Sequence, residues 1–336
     1  MDNPPVARVA GVDVAEPAVG LLAAARSGDE AAFGALLAPH RRALHLHCYR
    51  MLGSLDEAEE ALQETMVRAW RGLHTYAGRA PLRHWLHRIA TTTCLKAIER
   101  RGRAPATVAE VGHLQPYPDR WLDELDPAVV VERREAVALA FVAALQLLPA
   151  TQRAVVLLRE VLCWSAAEVA DYLGSSVPAV NSALQRGRAT LRAHAAPRQR
   201  ALTSYEQEIV RRFVHSWEHR DLGALAALLR EDAILRMPPE PLEVVGRAAV
   251  TEFFATVPAE GRLDRIRLVE TAANRQPALA AYLPDTTGAC HGYGVMVLTI
   301  EPAGVAEIIG FADADVFDRF GLPRVAPMSR RAARDL

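Results

Sequence analysis

Lysine is almost missing from this chain. Of its 39 basic residues only Lys96 is a lysine, a bias of codon usage rather than of chemistry. Cysteine is scarce as well: Cys48, Cys94, Cys163 and Cys290 stand far apart, with no C-x-x-C pair. That spacing argues against a disulfide framework and against a zinc ribbon, and it suits a reducing cytoplasm. The sequence carries no signal peptide and no long apolar run, so no membrane span is expected. The formal net charge is only −1, which excludes a chain coated in basic residues; any nucleic-acid surface must be local. His45, His47 and Cys48 are close in sequence, but the two histidines face different sides of a helix. Neither a metal site nor a cofactor is expected.

What the chain does have is length and core-forming residues. At 336 residues and 51% hydrophobic it should hold two or three domains, each with an ample core. Its most informative stretch, 149–194, reads as three short helices. Apolar residues at 154, 157, 158, 161 and 162 make the first helical stripe. Ser165 and Glu168 have capping-box spacing at the start of the second helix, and Gly174 ends it with a sharp turn. Ser176 caps the third helix, with Pro178 in its first turn. That helix should bury Val180, Ala183, Leu184, Gly187 and Leu191. Ser182, Gln185, Arg186, Arg188 and Arg192 line its other face, without an acidic residue. Such a pair of helices is the helix-turn-helix arrangement, which sets side chains against base edges in a major groove.

Two earlier segments carry opposite charge. In 54–70, Ser54 and Glu57 again have capping-box spacing, and Ala58, Leu62, Met66, Ala69 and Trp70 form a buried stripe. Asp56, Glu57, Glu59, Glu60, Gln63 and Glu64 line the outer face with no basic residue among them. An acidic face in a DNA-binding chain points to a basic protein partner. Residues 74–103 are the reverse: Arg79, Arg83, Arg88, Lys96, Arg100, Arg101 and Arg103 against the single acid Glu99, interleaved with Tyr76, His84 and Trp85. Basic residues among aromatics suit phosphate contact and base stacking on an opened strand. Trp85 by itself reads as core.

In this order the segments resemble an extracytoplasmic-function (ECF) sigma factor of the sigma-70 family. DEAEEALQETMVRAW (56–70) resembles the family's region 2.2. That implies docking on the β′ clamp of core RNA polymerase through Asp56, Glu57, Glu59, Glu60, Gln63 and Glu64. TYAGRAPLRHWLHRIATTTCLK (75–96) resembles regions 2.3 and 2.4. That implies melting and reading of the promoter −10 element by Tyr76, Arg79, Arg83, His84, Arg88, Thr92, Lys96 and Arg100. Residues 148–191 resemble region 4, which implies −35 reading by Ser176, Ser182, Gln185, Arg186 and Arg188, and a contact with the β flap. Thr92 and Lys96 stand where the family often has Asn and Asp. Val180-Asn181-Ser182-Ala183-Leu184 stands for its common V-K-S-R-L. These departures, with the phrase PYPDRWLDELDP (116–127), resemble a SigG-like subgroup.

The linker, 104–132, holds Pro105, Pro116, Pro118 and Pro127, which should keep it extended. Asp119, Asp123, Glu124 and Asp126 outweigh Arg120. It reads as an acidic tether, and the resemblance implies that it threads the polymerase's basic channels. Beyond Pro197 the pattern changes. Helices are expected over 205–219, 222–229 and 246–257, and strands over 233–237, 262–271, 278–283, 292–300 and 304–311. Helices before a curved antiparallel sheet make an α+β cone, which resembles a SnoaL-like domain of the NTF2-like superfamily. That resemblance implies an apolar cavity with room for a small ligand. Trp217, Met237, Phe253, Tyr282 and His291 are the candidate pocket residues, with Asp313 at the sheet's end.

The expected fold is multidomain. A disordered tail (1–18) is followed by two all-α sigma domains (19–103 and 133–197, the second helix-turn-helix) joined by the linker. The NTF2-like cone (203–325) and a second tail (326–336) complete it. The expected function is promoter recognition and transcription initiation with core RNA polymerase, without catalysis, the cone regulating activity. Two other readings stay open from residues alone: a helix-turn-helix regulator that is not a sigma factor, and a SnoaL-like enzyme or ligand sensor fused to a DNA-binding part.

Overall fold

The computed structural model describes residues 16–102, 107–125, 137–194 and 204–326. The tail expected at 1–18 lies outside the described residues up to residue 15, as do Arg103, Pro105, Asp126, Pro127 and residues 327–336.

The first unit is helical: α1 (Glu16–Arg26), α2 (Glu30–Leu52), α3 (Leu55–Gly72) and α4 (Leu82–Arg101). Asp29 caps α2, accepting from the Ala32 N–H at 3.0 Å. Helix α2 is continuous through Pro39. Pro39 is exposed, so the backbone bond that proline forfeits is lost on the wet side. Ser54 caps α3, its Oγ accepting from Glu57 N–H at 3.3 Å. Only half of the expected capping box forms, because the Glu57 carboxylate pairs with Arg101 of α4. Buried histidines join the helices: His47 Nε2 lies 2.9 Å from Thr91 Oγ1. Burial drives the His47 pKa well below its usual value.

The second helical unit comprises α6 (Leu139–Gln146), α7 (Ala150–Val156), α8 (Ala166–Leu173) and α9 (Val177–His194). The chain after α7 widens into a π turn over Leu157–Val161. Both halves of the box at α8 form: Glu168 N–H donates to Ser165 Oγ at 3.1 Å, and Ser165 N–H to Glu168 Oε2 at 2.7 Å. Gly174 follows in the left-handed conformation, φ 61°. The residues of α9 expected to be buried are those that are: Val180, Ala183, Leu184, Gly187 and Leu191.

The third unit is a mixed sheet wrapped by helices. Helices α10 (Ser204–Glu218), α11 (Leu222–Leu228) and α12 (Arg247–Thr256) cover one face. The strands are β1 (Leu229–Arg236), β2 (Glu243–Val245), β3 (Arg267–Ala273), β4 (Gln276–Pro284), β5 (Cys290–Glu301), β6 (Gly304–Phe311) and β7 (Val325–Ala326). Their order is β2-β1-β6-β5-β4-β3, with β7 on β5. The sheet was expected to be antiparallel throughout; β1 and β6 pair in parallel instead. The crossover from β1 through α12 and the meander makes that parallel pairing reachable. Strand β3 starts later than expected, because 263–265 forms a 3₁₀ turn.

Alternate residues of the strands serve two cores. Leu279, Leu298 and Ile308 face the helices of the cone. Ala278, Ala280, Tyr282, Val297 and Ile309 belong to the same cluster as Leu44, Tyr49, Leu114 and Leu145 of the helical units. The outer face of the sheet is therefore packed against the rest of the chain, as the period of two allows. The linker, expected to be an extended tether, is sandwiched there. Within it Val111, Leu114, Tyr117 and Leu122 are buried, and 119–123 forms a short helix, α5 (Asp119–Asp123). Its apolar residues follow no period, which is why their burial left no pattern to read.

Candidate functional sites

The acidic face of α3 stands as expected. Asp56, Glu59, Glu60, Gln63 and Glu64 are exposed and Glu57 is half-buried. Glu64 pairs with Arg68 at 2.6 Å, a hydrogen bond that lowers its pKa. The start of the face is occupied. Arg319, of α13 (Val316–Phe320), donates to Asp56 Oδ1 and lowers its pKa. From the linker, Gln115 Oε1 accepts from Leu55 N–H at 2.7 Å, while its Nε2 donates to Asp56 Oδ2 at 2.9 Å.

The basic face of α4 and its preceding loop is divided. Arg79, Arg83, Lys96 and Arg100 are exposed. Tyr76 is half-buried, its hydroxyl donating to Ala80 O at 2.7 Å and its ring 5.3 Å from Trp85. The remaining three expected residues contact the helix-turn-helix unit, His84 and Thr92 half-buried and Arg88 still exposed. His84 stacks on Trp164, ring centroids 5.1 Å apart, and desolvation lowers its pKa. The Arg88 guanidinium lies over the Tyr172 ring at 5.2 Å and is 3.9 Å from Asp171. The Tyr172 hydroxyl is 2.9 Å from both Arg88 O and Thr92 Oγ1. A nucleic-acid strand cannot use Thr92 while Tyr172 holds it.

On α9, Ser176, Ser182, Gln185 and Arg186 are exposed. Arg188 is exposed too, but donates to Glu160 at 2.6 Å. Ser176 also caps the helix, accepting from Ala179 N–H at 3.3 Å. Gly187 is where α9 touches α7: a Cβ there would come 2.5 Å from Val156 Cγ2.

The cone has a cavity of about 90 Å³ lined by Trp217, Met237 and Phe253, as expected. Tyr282 and His291 are not in it. Tyr282 follows Ala281, which lines the cavity, so the strand's alternation turns Tyr282 to the outer face. There its hydroxyl donates to Pro323 O at 3.0 Å, and its ring packs against Phe317. His291 sits in the β4–β5 hairpin, exposed and 2.9 Å from Asp285 Oδ2. Asp313 lies at the end of the sheet, accepting from Asp315 N–H.

Two groups went unmarked in the sequence. Arg153 is 2% exposed and donates to Met51 O, Gln146 Oε1, Gln146 O and Leu148 O, tying the two helical units together. Burial pulls its pKa down to about 9. The second is the β3–β4 turn, Asn274–Arg275, with φ 55° and 60°, the left-handed pair of a type I′ hairpin. Asn274 is fully buried. Its Oδ1 accepts from Tyr117 N–H at 2.7 Å; its Nδ2 donates to Val137 O at 2.6 Å and Tyr49 Oη at 3.1 Å. Arg275 N–H donates to Asp119 Oδ1 at 2.7 Å and its guanidinium to Asp123 at 2.6 Å. Gln276 Oε1 accepts from Leu139 N–H at 2.8 Å. One turn thus holds the linker, α2 and the start of α6. From the linker, Arg120 returns the contact by donating to Arg319 O and Asp318 O at the C-terminal end of α13.

Comparison with known proteins follows the same division. Residues 36–104 match the family model of sigma-70 region 2, 138–191 that of sigma-70 region 4, and 210–307 that of a SnoaL-like domain. The chain is 43% identical over 320 residues to ECF RNA polymerase sigma factor SigG of Mycobacterium tuberculosis, covering 89% of this chain and 85% of that one. It is 34% identical over 171 residues to SigM of the same organism, covering 51% and 81%. The crystal structure of the M. tuberculosis ECF sigma factor SigJ superposes with a TM-score of 0.60 at 22% identity, over 84% of this chain and 98% of that one. That likeness extends the fold to all three units. Among the described residues no helix is long and apolar enough to cross a membrane. The chain belongs to the extracytoplasmic-function sigma factors, initiation factors that bind core RNA polymerase and promoter DNA and catalyse no reaction of their own.

Proposed function

We propose that this sigma factor, working in the cytoplasm, rests in the compact arrangement described above and that its C-terminal cone (203–325) holds it there. Domain 19–103 docks on the β′ clamp through Asp56, Glu57, Glu59, Glu60, Gln63 and Glu64. It reads the −10 element with Tyr76, Arg79, Arg83, His84, Arg88, Thr92, Lys96 and Arg100. Domain 133–197 contacts the β flap and reads the −35 element with Ser176, Ser182, Gln185, Arg186 and Arg188. One observation carries the regulatory part: Tyr172 of the second domain lies on Arg88 and Thr92 of the first. Both sets of DNA-reading residues cannot serve one promoter until these helices separate. The cone favours the closed state, because the Asn274 turn and the sheet's outer face bury against both units only when they are together. A tethered domain acts at high effective concentration, and it shifts a two-state equilibrium by its differential affinity.

The test is run-off transcription from genomic promoters with core polymerase, using the full chain and a chain ending at Arg200, with polymerase binding measured in parallel. The shortened chain is expected to give several-fold more transcript per polymerase bound. Equal or lower output from a folded shortened chain refutes the closed-state reading. Absence of promoter-specific transcript from either chain refutes the assignment of the DNA-reading residues.

A further inference from the structure

Helix α9 leaves its neutral polar side chains free. Asn181, Ser182 and Gln185 are exposed, and none of their side chains has a partner among the described residues. Two other polar residues of this helix are engaged: Ser176 caps it, and Arg188 donates to Glu160 at 2.6 Å. Asn181 and Gln185 lie one turn apart and outside the buried set of Val180, Ala183, Leu184, Gly187 and Leu191. Four residues of helix advance about 6 Å, and bases stack about 3.4 Å apart. The two amides therefore fall on base pairs one or two steps apart.

An amide presents a donor and an acceptor side by side, which a guanidinium does not. In the major groove adenine shows the complement, an amino donor beside a ring-nitrogen acceptor, whereas guanine shows two acceptors. Asn or Gln thus pairs twice with adenine and once with guanine. A second observation is apolar. Val177, the first residue of α9, is 40% exposed, the one large apolar side chain so exposed among the described residues of the second helical unit. Burying apolar surface is favourable, and the thymine methyl group lies on the same groove edge as adenine's amide-matching pair. Val177 and Asn181 are themselves one turn apart. Free amides and an uncovered valine call for the same kind of base pair.

We propose that α9 selects adenine·thymine pairs in the −35 element: Asn181 and Gln185 each pair with an adenine, and Val177 covers a thymine methyl. Asn181 is thereby a specificity residue beside Ser182, Gln185 and Arg186. This selection deepens the −35 reading proposed above and rests on it.

The measurement is transcription by core polymerase with the full chain, from a promoter found in the genomic run-off assay and randomised over its −35 element. Adenine should be enriched about tenfold at two positions one or two steps apart. The deaza analogue of adenine, with carbon in place of the major-groove ring nitrogen, keeps base pairing and should lower the yield several-fold there. Asn181→Ala should make one of those positions indifferent to both changes, without shifting the melting curve. Asn181→Lys should turn that position to guanine, because an ammonium donor suits two acceptors. Uracil for thymine removes only the methyl; it should cost the unmodified chain a few-fold and Val177→Ala nothing. Promoter-specific transcript with no adenine preference, or with full tolerance of the deaza analogue, overturns the base assignment alone and needs no variant. So does an adenine preference that survives both Asn181→Ala and Gln185→Ala, which would make it a matter of DNA shape. Absence of any promoter-specific transcript overturns this selection together with the −35 reading beneath it.

Discussion

Arg319 donates to Asp56, 263 positions earlier in the chain, so the last helix of the cone holds the first acid of α3. The pair is half-exposed, with Arg319 28% and Asp56 58% accessible. A surface ion pair contributes about 0–1 kcal/mol. Arg319→Ala should therefore raise affinity for core polymerase modestly, by at most about fivefold. A fluorescence titration with core enzyme at low and moderate salt reads it. No change at either salt would mean that Asp56 is not part of the docking face.

The rest of that face makes a stronger test. Glu60 and Glu64 are exposed, and neither is part of the core. Reversing both to arginine should leave the melting curve in place. Like charges set against a basic partner cost several kcal/mol, so polymerase binding should fall by at least tenfold. Unchanged binding by the folded double variant would move the docking site elsewhere.

On α9, Arg186 is exposed and forms no ion pair among the described residues. Replacing a base-contacting arginine should cost about 1–3 kcal/mol and relax selection at one −35 position. Binding of Arg186→Ala to a promoter library, with salt varied, distinguishes the roles. A uniform loss with a shallower salt slope would make Arg186 a phosphate contact.

The α9 burial pattern was legible because one helix period sorts its residues onto two faces, and Val180, Ala183, Leu184, Gly187 and Leu191 lie on one. The acidic face of α3 was legible for the same reason. The cavity was half legible. Trp217 falls on the buried face of α10, which the helical period sorts, whereas Tyr282 depended on strand parity: it follows Ala281, which lines the cavity, and so turns to the outer face. Nothing local marked Asn274. Asn-Arg in a hairpin turn reads as a solvated loop, and its burial depends on Tyr117 and Val137, far away in sequence. The occlusion of Thr92 is likewise a tertiary fact, set by how α8 crosses α4.

Asp119 should make the cone's grip sensitive to pH. Burial raises its pKa to about 6, against which the Arg275 N–H and guanidinium pull down only partly. The undocked carboxyl should titrate near the usual value of about 3.9. The docked form thus holds its proton more tightly. Its contribution to docking is complete below about pH 4 and is lost as pH rises through about 6. Asp119→Asn keeps the shape but not the charge. Its melting temperature should gain on the unmodified chain between pH 5 and pH 7, and a constant difference across that range would rule the mechanism out.

The Asn274 turn offers the sharpest separation of grip from fold. Asn274→Gly removes the side chain yet leaves a residue that adopts φ 55° without strain. Tyr117 N–H and Val137 O would then lose their side-chain partner in a buried place. Each group left unmade costs about 1–3 kcal/mol, and that cost falls on the docked state alone, since water satisfies both groups once the turn withdraws. The closed population should drop by at least about fivefold. The cone keeps its own core around Phe213, Trp217 and Leu298. Transcription per bound polymerase should therefore rise about fivefold or more, and amide exchange over 117–123 should quicken. Thr287→Ala, in the β4–β5 turn where the Thr287 N–H and hydroxyl both donate to Asp285, should change neither. Faster exchange at 117–123 with no gain in transcription would show that the cone grips the linker without restraining the sigma domains.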